Sequence, residues 1–180
     1  MNDSVTQINQ NDLDIMRGFE LSGFVPYLLN QAMSELDNNL RYALKPFGLS
    51  IHQWRVLFML NLGGSISIGD ISTATVMGQS TITRVANQLE EAGLALRTRM
   101  PDHKRIILLS LTKAGINLIE DVIPVAFAIH DGAVEGFNKD EQQVLFTMLQ
   151  KLVSNFRRHE ARQKMNHFTP NTTGTRALAG

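Results

Sequence analysis

Cysteine is missing from all 180 residues, which removes disulfides, thiolate zinc sites, thiol catalysis and cysteine redox sensing together. Also missing is any uncharged apolar run near the roughly 18 residues that mark a membrane span. The beginning, MNDSVTQINQNDLD, lacks the basic and apolar regions of a signal peptide. These absences lead to the expectation of a cytoplasmic protein with no membrane partner. Net charge is lacking too, since 17 Lys+Arg balance 17 Asp+Glu. No basic coat exists, so any nucleic-acid binding must come from a local positive field. The histidines His52, His103, His130, His159 and His167 include no His-x-x-x-His pair, and neither a bound metal nor a cofactor is expected. A nucleophile elbow, a phosphate-cradling glycine loop and a paired-carboxylate signature are all absent, so no catalytic residue is nominated and an enzyme is not expected. His130-Asp131, His159-Glu160 and Glu90-Glu91 are read as solvated helix surface.

What is present is enough apolar material, 43% of the chain, for one sizeable core. The eight methionines suit either that core or the lining of a small-molecule pocket. Apolar residues at Val25, Leu28, Leu29, Ala32, Leu36, Leu40, Ala43, Leu44 and Phe47 keep helical spacing, predicting a long first helix that ends near Pro46 and Gly48. Ser50 is an N-cap candidate for a second helix carrying Trp54, Leu57, Phe58 and Leu60, stopped at Gly63-Gly64. Ser67 followed by Asp70 predicts a capped short helix with Ile68, Ile71 and Ala74. After Gly78 a fourth helix runs from Gln79 to Ala92, its apolar stripe formed by Ile82, Val85, Ala86 and Leu89, with Gly93 as its stop. Two helices around a tight turn, the second bearing small polar groups on its free face, form a helix-turn-helix.

Strand-like runs follow at Leu94 to Arg99 and Ile106 to Leu111, with the residues between them as a hairpin tip. Thr112 caps a fifth helix that Pro124 should kink or divide. Asn138 with Glu141 caps a last helix, whose Leu145, Leu149, Leu152 and Phe156 form a seam flanked by Phe146 and Val153. The fold expected is therefore mainly α with a small β-wing: a winged helix-turn-helix between long N- and C-terminal helices. Charge follows this layout. From Gly78 to Lys113 the cations Arg84, Arg97, Arg99, Lys104, Arg105 and Lys113 outnumber Glu90, Glu91 and Asp102, a local +3 that leaves −3 for everything else. On a winged helix, Arg97, Arg99, Lys104 and Arg105 lie on or beside the wing, where phosphates or a narrow minor groove are met. Gln79, Ser80, Thr81, Thr83, Arg84 and Asn87 supply short or base-reading groups on the recognition helix. A basic hairpin on an ordinary solvated surface is the competing reading of the same residues.

The run STITRVANQLEEAGLALR, then MPDHKR, then IILLSLTKAG resembles the MarR family of winged-helix transcription regulators. That family's pattern is a Ser-Thr-hydrophobic-Thr-Arg recognition helix, a Leu-Glu-x-x-Gly-Leu exit, a basic wing and a Leu-Thr-x-x-Gly helix start. The resemblance extends over GLSIHQWRVLFML and the long first helix, covering roughly residues 25 to 160. One position departs: the family's wing carries an aspartate two residues before its arginine, and here His103 stands two residues before Arg105, with Asp102 one place earlier. Either Asp102 braces the tip, or His103 adds partial positive charge there below about pH 6.5.

The resemblance implies a homodimer that binds a pseudo-palindromic double-stranded DNA operator and is released by a small effector, an aromatic acid or its coenzyme A thioester. By the same resemblance Asn30, Met33, Arg41, His52, Trp54, Arg55 and Met59 are nominated to line the effector cleft, with an arginine pairing a carboxylate and Trp54 stacking on a ring. Trp54 as plain core, and either arginine held by Glu35 or Asp37, are the alternatives. The organisation implied is a partly disordered extension over 1–23, a dimerisation helix over 24–47, the DNA-binding winged helix over 48–112, C-terminal dimerisation helices over 113–163 and a flexible tail over 164–180. A winged helix acting as a protein-interaction module, or a regulator of this fold without an effector, are the other functions considered.

Overall fold

Helical periodicity and end signals account for the order of elements. The computed structural model describes residues 24–100 and 103–167, with side chains over 24–100 and 106–160; the expectations for the N-terminal extension, for Asp102 and for the end of the tail lie outside them. Helix α1 spans Val25–Leu44 with Pro26 in its first turn, where a missing N–H is harmless, and a 3-10 turn at Lys45–Phe47 ends it. Helix α2, Ile51–Gly63, begins with a reciprocal box. In that box the Gln53 amide donates to Ser50 Oγ at 3.2 Å, and the Ser50 amide donates to Gln53 Oε1 at 2.8 Å. After strand β1, Ile66–Ser67, comes helix α3, Ile68–Thr75, where Ser67 Oγ accepts from the Asp70 amide at 3.1 Å. Then follow α4 (Gln79–Glu91), β2 (Ala95–Met100), β3 (His103–Leu111), α5 (Lys113–Ala133) and α6 (Lys139–His167).

The sheet departs from the expected hairpin. It has three antiparallel strands in the order β1-β3-β2, with Leu109 facing both Ile66 and Arg97. Strand β1 has two residues, too few for an alternating pattern to register. Strand β3 also starts earlier than Ile106, at His103, across an irregularity between Arg99 and Met100. Helix α5 is not divided: it passes through Pro124 as one element. Pro124 and Glu120 are both exposed, so water reaches the carbonyl whose helical donor proline lacks.

The chain divides into two compact units between Gly132 and Ala133. In the first, Val56, Leu57, Ile71, Ile82, Leu89 and Leu109 are fully enclosed, and Leu44 of α1 and Ile119 of α5 extend that core. Burying each such side chain contributes about 1.5–3 kcal/mol. One corner locks the end of α4 to the start of α5. Thr112 Oγ1 accepts from the Gly115 amide at 3.0 Å and donates to the Gly93 carbonyl at 2.7 Å, while the Thr112 amide donates to the Leu94 carbonyl at 3.0 Å. A Cβ on Gly115 would stand 2.0 Å from the Leu94 carbonyl oxygen, and Gly93 adopts φ 70°, so both positions require glycine. The Leu-Thr-x-x-Gly sequence is thus a packing requirement.

In the second unit, α6 starts with a reciprocal box: the Glu141 amide donates to Asn138 Oδ1 at 3.0 Å and the Asn138 amide to Glu141 Oε2 at 2.8 Å. Its apolar side chains Val144, Phe146, Met148, Leu149, Val153 and Phe156 are exposed. Among the described residues no helix is long and apolar enough to cross a membrane.

Candidate nucleic-acid interface

Helix α4 owes its orientation to its apolar stripe. Ile82, Val85, Ala86 and Leu89 are buried, which leaves Gln79, Ser80, Thr83, Arg84 and Asn87 exposed and Thr81 half-buried. Thr83 Oγ1 donates to its own helix at the Gln79 carbonyl, 2.8 Å away. The turn into α4 is braced by Ser72 Oγ, which donates to the Met77 carbonyl at 2.6 Å. Its left-handed position is held by Val76, at φ 55° and 85% exposed. A β-branched residue there is strained, and the isopropyl group gains no burial in return.

Alternation along β2 puts Ala95, Arg97 and Arg99 on one face. Ala95 is buried and Arg99 exposed. Between them Arg97 turns inward. Its Nη1 lies 2.6 Å from Glu90 Oε2, its Nη2 donates to the Thr83 carbonyl at 3.2 Å, and its amide donates to Glu90 Oε1 at 3.1 Å. The two side chains are 24% and 31% exposed, and Arg97 Nε is buried without an acceptor among the described residues. Glu90 is therefore not the free, solvated end of the helix that the sequence suggested. Arg84 and Arg99 make no ion pair among the described residues. His103, Lys104 and Arg105 occupy the start of β3, and their side chains, like Asp102, lie outside the described residues.

The residues nominated for an effector separate into two groups. Trp54, Arg55 and Met59 of α2 line a cleft of about 240 Å³ together with Phe58, Ala74 and Thr75. Asn30, Met33, Arg41 and His52 are exposed and do not line it. Trp54 is only 8% exposed, with its ring centroid 5.1 Å from that of Phe58 and tilted by 32°; it is a core residue with one edge on the cleft. Arg55 Nη2 lies 3.4 Å from Asp37 Oδ1, the intramolecular partner anticipated as the alternative. Sequence reasoning missed Phe58, Ala74, Thr75 and Glu90. Phe58 follows Trp54 by one helical turn and was legible on that ground, whereas Ala74 and Thr75 join the cleft only because α3 packs on α2.

Comparison with known proteins agrees with this architecture. The family model described as MarR family matches residues 47–106. A curated relative, the HTH-type transcriptional repressor IacR of Pseudomonas putida, is 29% identical over 137 residues, covering 76% of this chain and 82% of that protein. Among solved structures, a MarR-family transcriptional regulator from Silicibacter pomeroyi superposes with a TM-score of 0.68 at 31% identity, over 76% of this chain and 92% of the other. Bordetella bronchiseptica BpsR, whose structure concerns regulation of its DNA binding by 6-hydroxynicotinic acid, gives a TM-score of 0.66 at 27% identity over 72% and 98%. With a polar-faced α4, a cationic hairpin beside it and relatives matched along most of their length, the chain belongs to the MarR family of DNA-binding winged-helix transcriptional regulators.

Proposed function

We propose that the protein is a homodimeric, sequence-specific repressor in the cytoplasm that leaves a pseudo-palindromic operator when a small effector, an aromatic acid or its coenzyme A thioester, binds it. The observation that carries this reading is the polar face of α4, presented outward by a fully buried apolar stripe and flanked by the exposed Arg99, which has no ion pair among the described residues. Gln79 and Asn87 suit adenine, Arg84 suits guanine, and the methyl groups of Thr81 and Thr83 suit thymine; Ser80 is small enough to let the helix approach the bases. Arg99, Lys104, Arg105 and His103 below about pH 6.5 would meet phosphates. The exposed apolar face of α6, together with exposed Val25, Leu28 and Met33 on α1, supports dimerisation through the segments 24–47 and 113–163, because patches of this kind mark subunit contacts. Repression is supported by the named role of the Pseudomonas putida relative. Effector release is supported by the ligand named for BpsR and by the cleft beside Trp54 and Arg55.

The test is selection of bound duplexes from a random pool, followed by affinity against salt with and without aromatic acids. A palindromic consensus is expected, with about 0.9 added to the negative slope of log affinity against log salt for each phosphate contacted. A slope near zero would exclude the DNA reading in favour of a protein partner. An affinity unmoved by every acid would leave repression without an effector.

A further inference from the structure

We infer that Arg97 is a positioning residue, a strut that holds the wing at a set angle to the recognition helix, and not one of the wing's phosphate contacts. The inference rests on the DNA-binding reading above and assigns a division of labour within it. One carboxylate, Glu90, takes both the backbone N–H of Arg97 at 3.1 Å and its guanidinium at 2.6 Å, while the far side of the same guanidinium donates to the Thr83 carbonyl at 3.2 Å. Residues 83 and 90 lie two turns apart on α4, roughly 10 Å along its axis. A hairpin tied to a helix at one point can still hinge; tied at both of these by a planar, rigid fork, it is fixed in distance and in rotation. The hydrogen-bonded corner at Gly93 and Thr112 fixes only the base of the hairpin.

Electrostatics argues the same way. A phosphate reaching Arg97 would have to displace Glu90 and leave a bare carboxylate, together with the half-buried guanidinium's remaining desolvation, beside a polyanion. Arg99, on the same face of β2 but exposed and without an ion pair among the described residues, meets a phosphate at no such cost. Thr83 and Glu90 also bracket Arg84 and Asn87 on α4, so the strut sets how deeply those side chains sit when the wing grips the backbone. Its loss should lower discrimination between sequences more than it lowers affinity for DNA in general.

The experiment uses the full chain, a duplex selected from a random pool and an unrelated duplex, with Arg97→Gln, Glu90→Gln, their double variant and Arg99→Gln. Glu90→Gln keeps an acceptor for the Arg97 amide but replaces the oxygen that faces the guanidinium with an NH2 donor, so it breaks the side-chain tie alone. Each single variant at the strut is expected to lower the selected-to-unrelated affinity ratio roughly tenfold, with the double variant no worse than either. Their salt slope should equal that of the wild type, whereas Arg99→Gln lowers it by about 0.9. The strut is overturned if Glu90→Gln binds every duplex more tightly and Arg97→Gln loses about 0.9 of slope, as removal of an acid and of a phosphate contact would produce. Should Arg97→Gln unfold, recognised by loss of its cooperative melt, Glu90→Gln decides alone. A wild type that binds no duplex would sink the DNA reading itself, a result distinct from failure of the strut.

Discussion

Helices α4 and α6 carry the same kind of apolar periodicity and meet opposite fates. In α4 the stripe of Ile82, Val85, Ala86 and Leu89 is buried to the last residue, whereas in α6 Leu149, Val153 and Phe156 remain exposed, Phe156 by 57%. The difference separates two ways of using one pattern. A stripe matched by α2, α3 and β2 within the same chain fixes where the polar face points; a stripe left largely exposed is the surface that the proposed dimer would cover. For α4 the functional face is the one left over after burial. For α6, on the proposed dimer reading, it is the apolar face itself.

Substitutions in the two stripes break this contrast most strongly. Leu89→Asp should destabilise the fold by about 5 kcal/mol or more, because an ionised group enters an apolar core without a partner, and the cooperative thermal transition should vanish. Leu149→Glu on α6 should keep that transition at dilute concentration while raising the dimer dissociation constant roughly a hundredfold, read by sedimentation; an unchanged constant would remove α6 from the interface. Of similar size, Gly115→Ala should cost about 3 kcal/mol, since the new Cβ must displace the Leu94 backbone at the exit from α4, and chemical denaturation would show it. The outward face of α4 responds differently. Asn87→Ala should reduce preference among operator sequences by about 1–3 kcal/mol at one base position, whereas Arg105→Ala should weaken all duplexes alike and lower the salt slope by about 0.9. The smallest effect has the opposite sign: Val76→Gly should stabilise by about 1 kcal/mol through relief of the left-handed strain, seen as a rise of about 2–4 °C in Tm.

Much of the fold was legible because its signals are local. Ser50, and Asn138 with Glu141, are end markers read within four residues, and both head reciprocal boxes, the first completed by Gln53. Gly93, Thr112 and Gly115 marked the corner that joins α4, the wing and α5. Elements escaped where the signal was too short or depended on context: β1 exists only because β3 runs beside it, and Pro124 falls on the exposed side of α5, as does Glu120 one turn earlier. In the candidate interface the sequence marked a cationic segment but could not rank its members. Arg97 and Arg99 are identical residues two positions apart on one strand face, and nothing in their local pattern says that the first is held by Glu90.

The amino-acid order by itself determined the helices, their caps, the helix-turn-helix followed by a cationic hairpin, and the apolar seams, since each depends on propensity and spacing within about two turns of chain. Tertiary structure alone decided which of Arg97 and Arg99 faces solvent, which three of the seven nominated effector residues share a cleft, and which apolar stripe is buried. Those outcomes depend on distances between residues brought together by packing, such as Glu90 with Arg97 and Arg55 with Asp37, and a charge's function is settled by whether its nearest partner is protein or water.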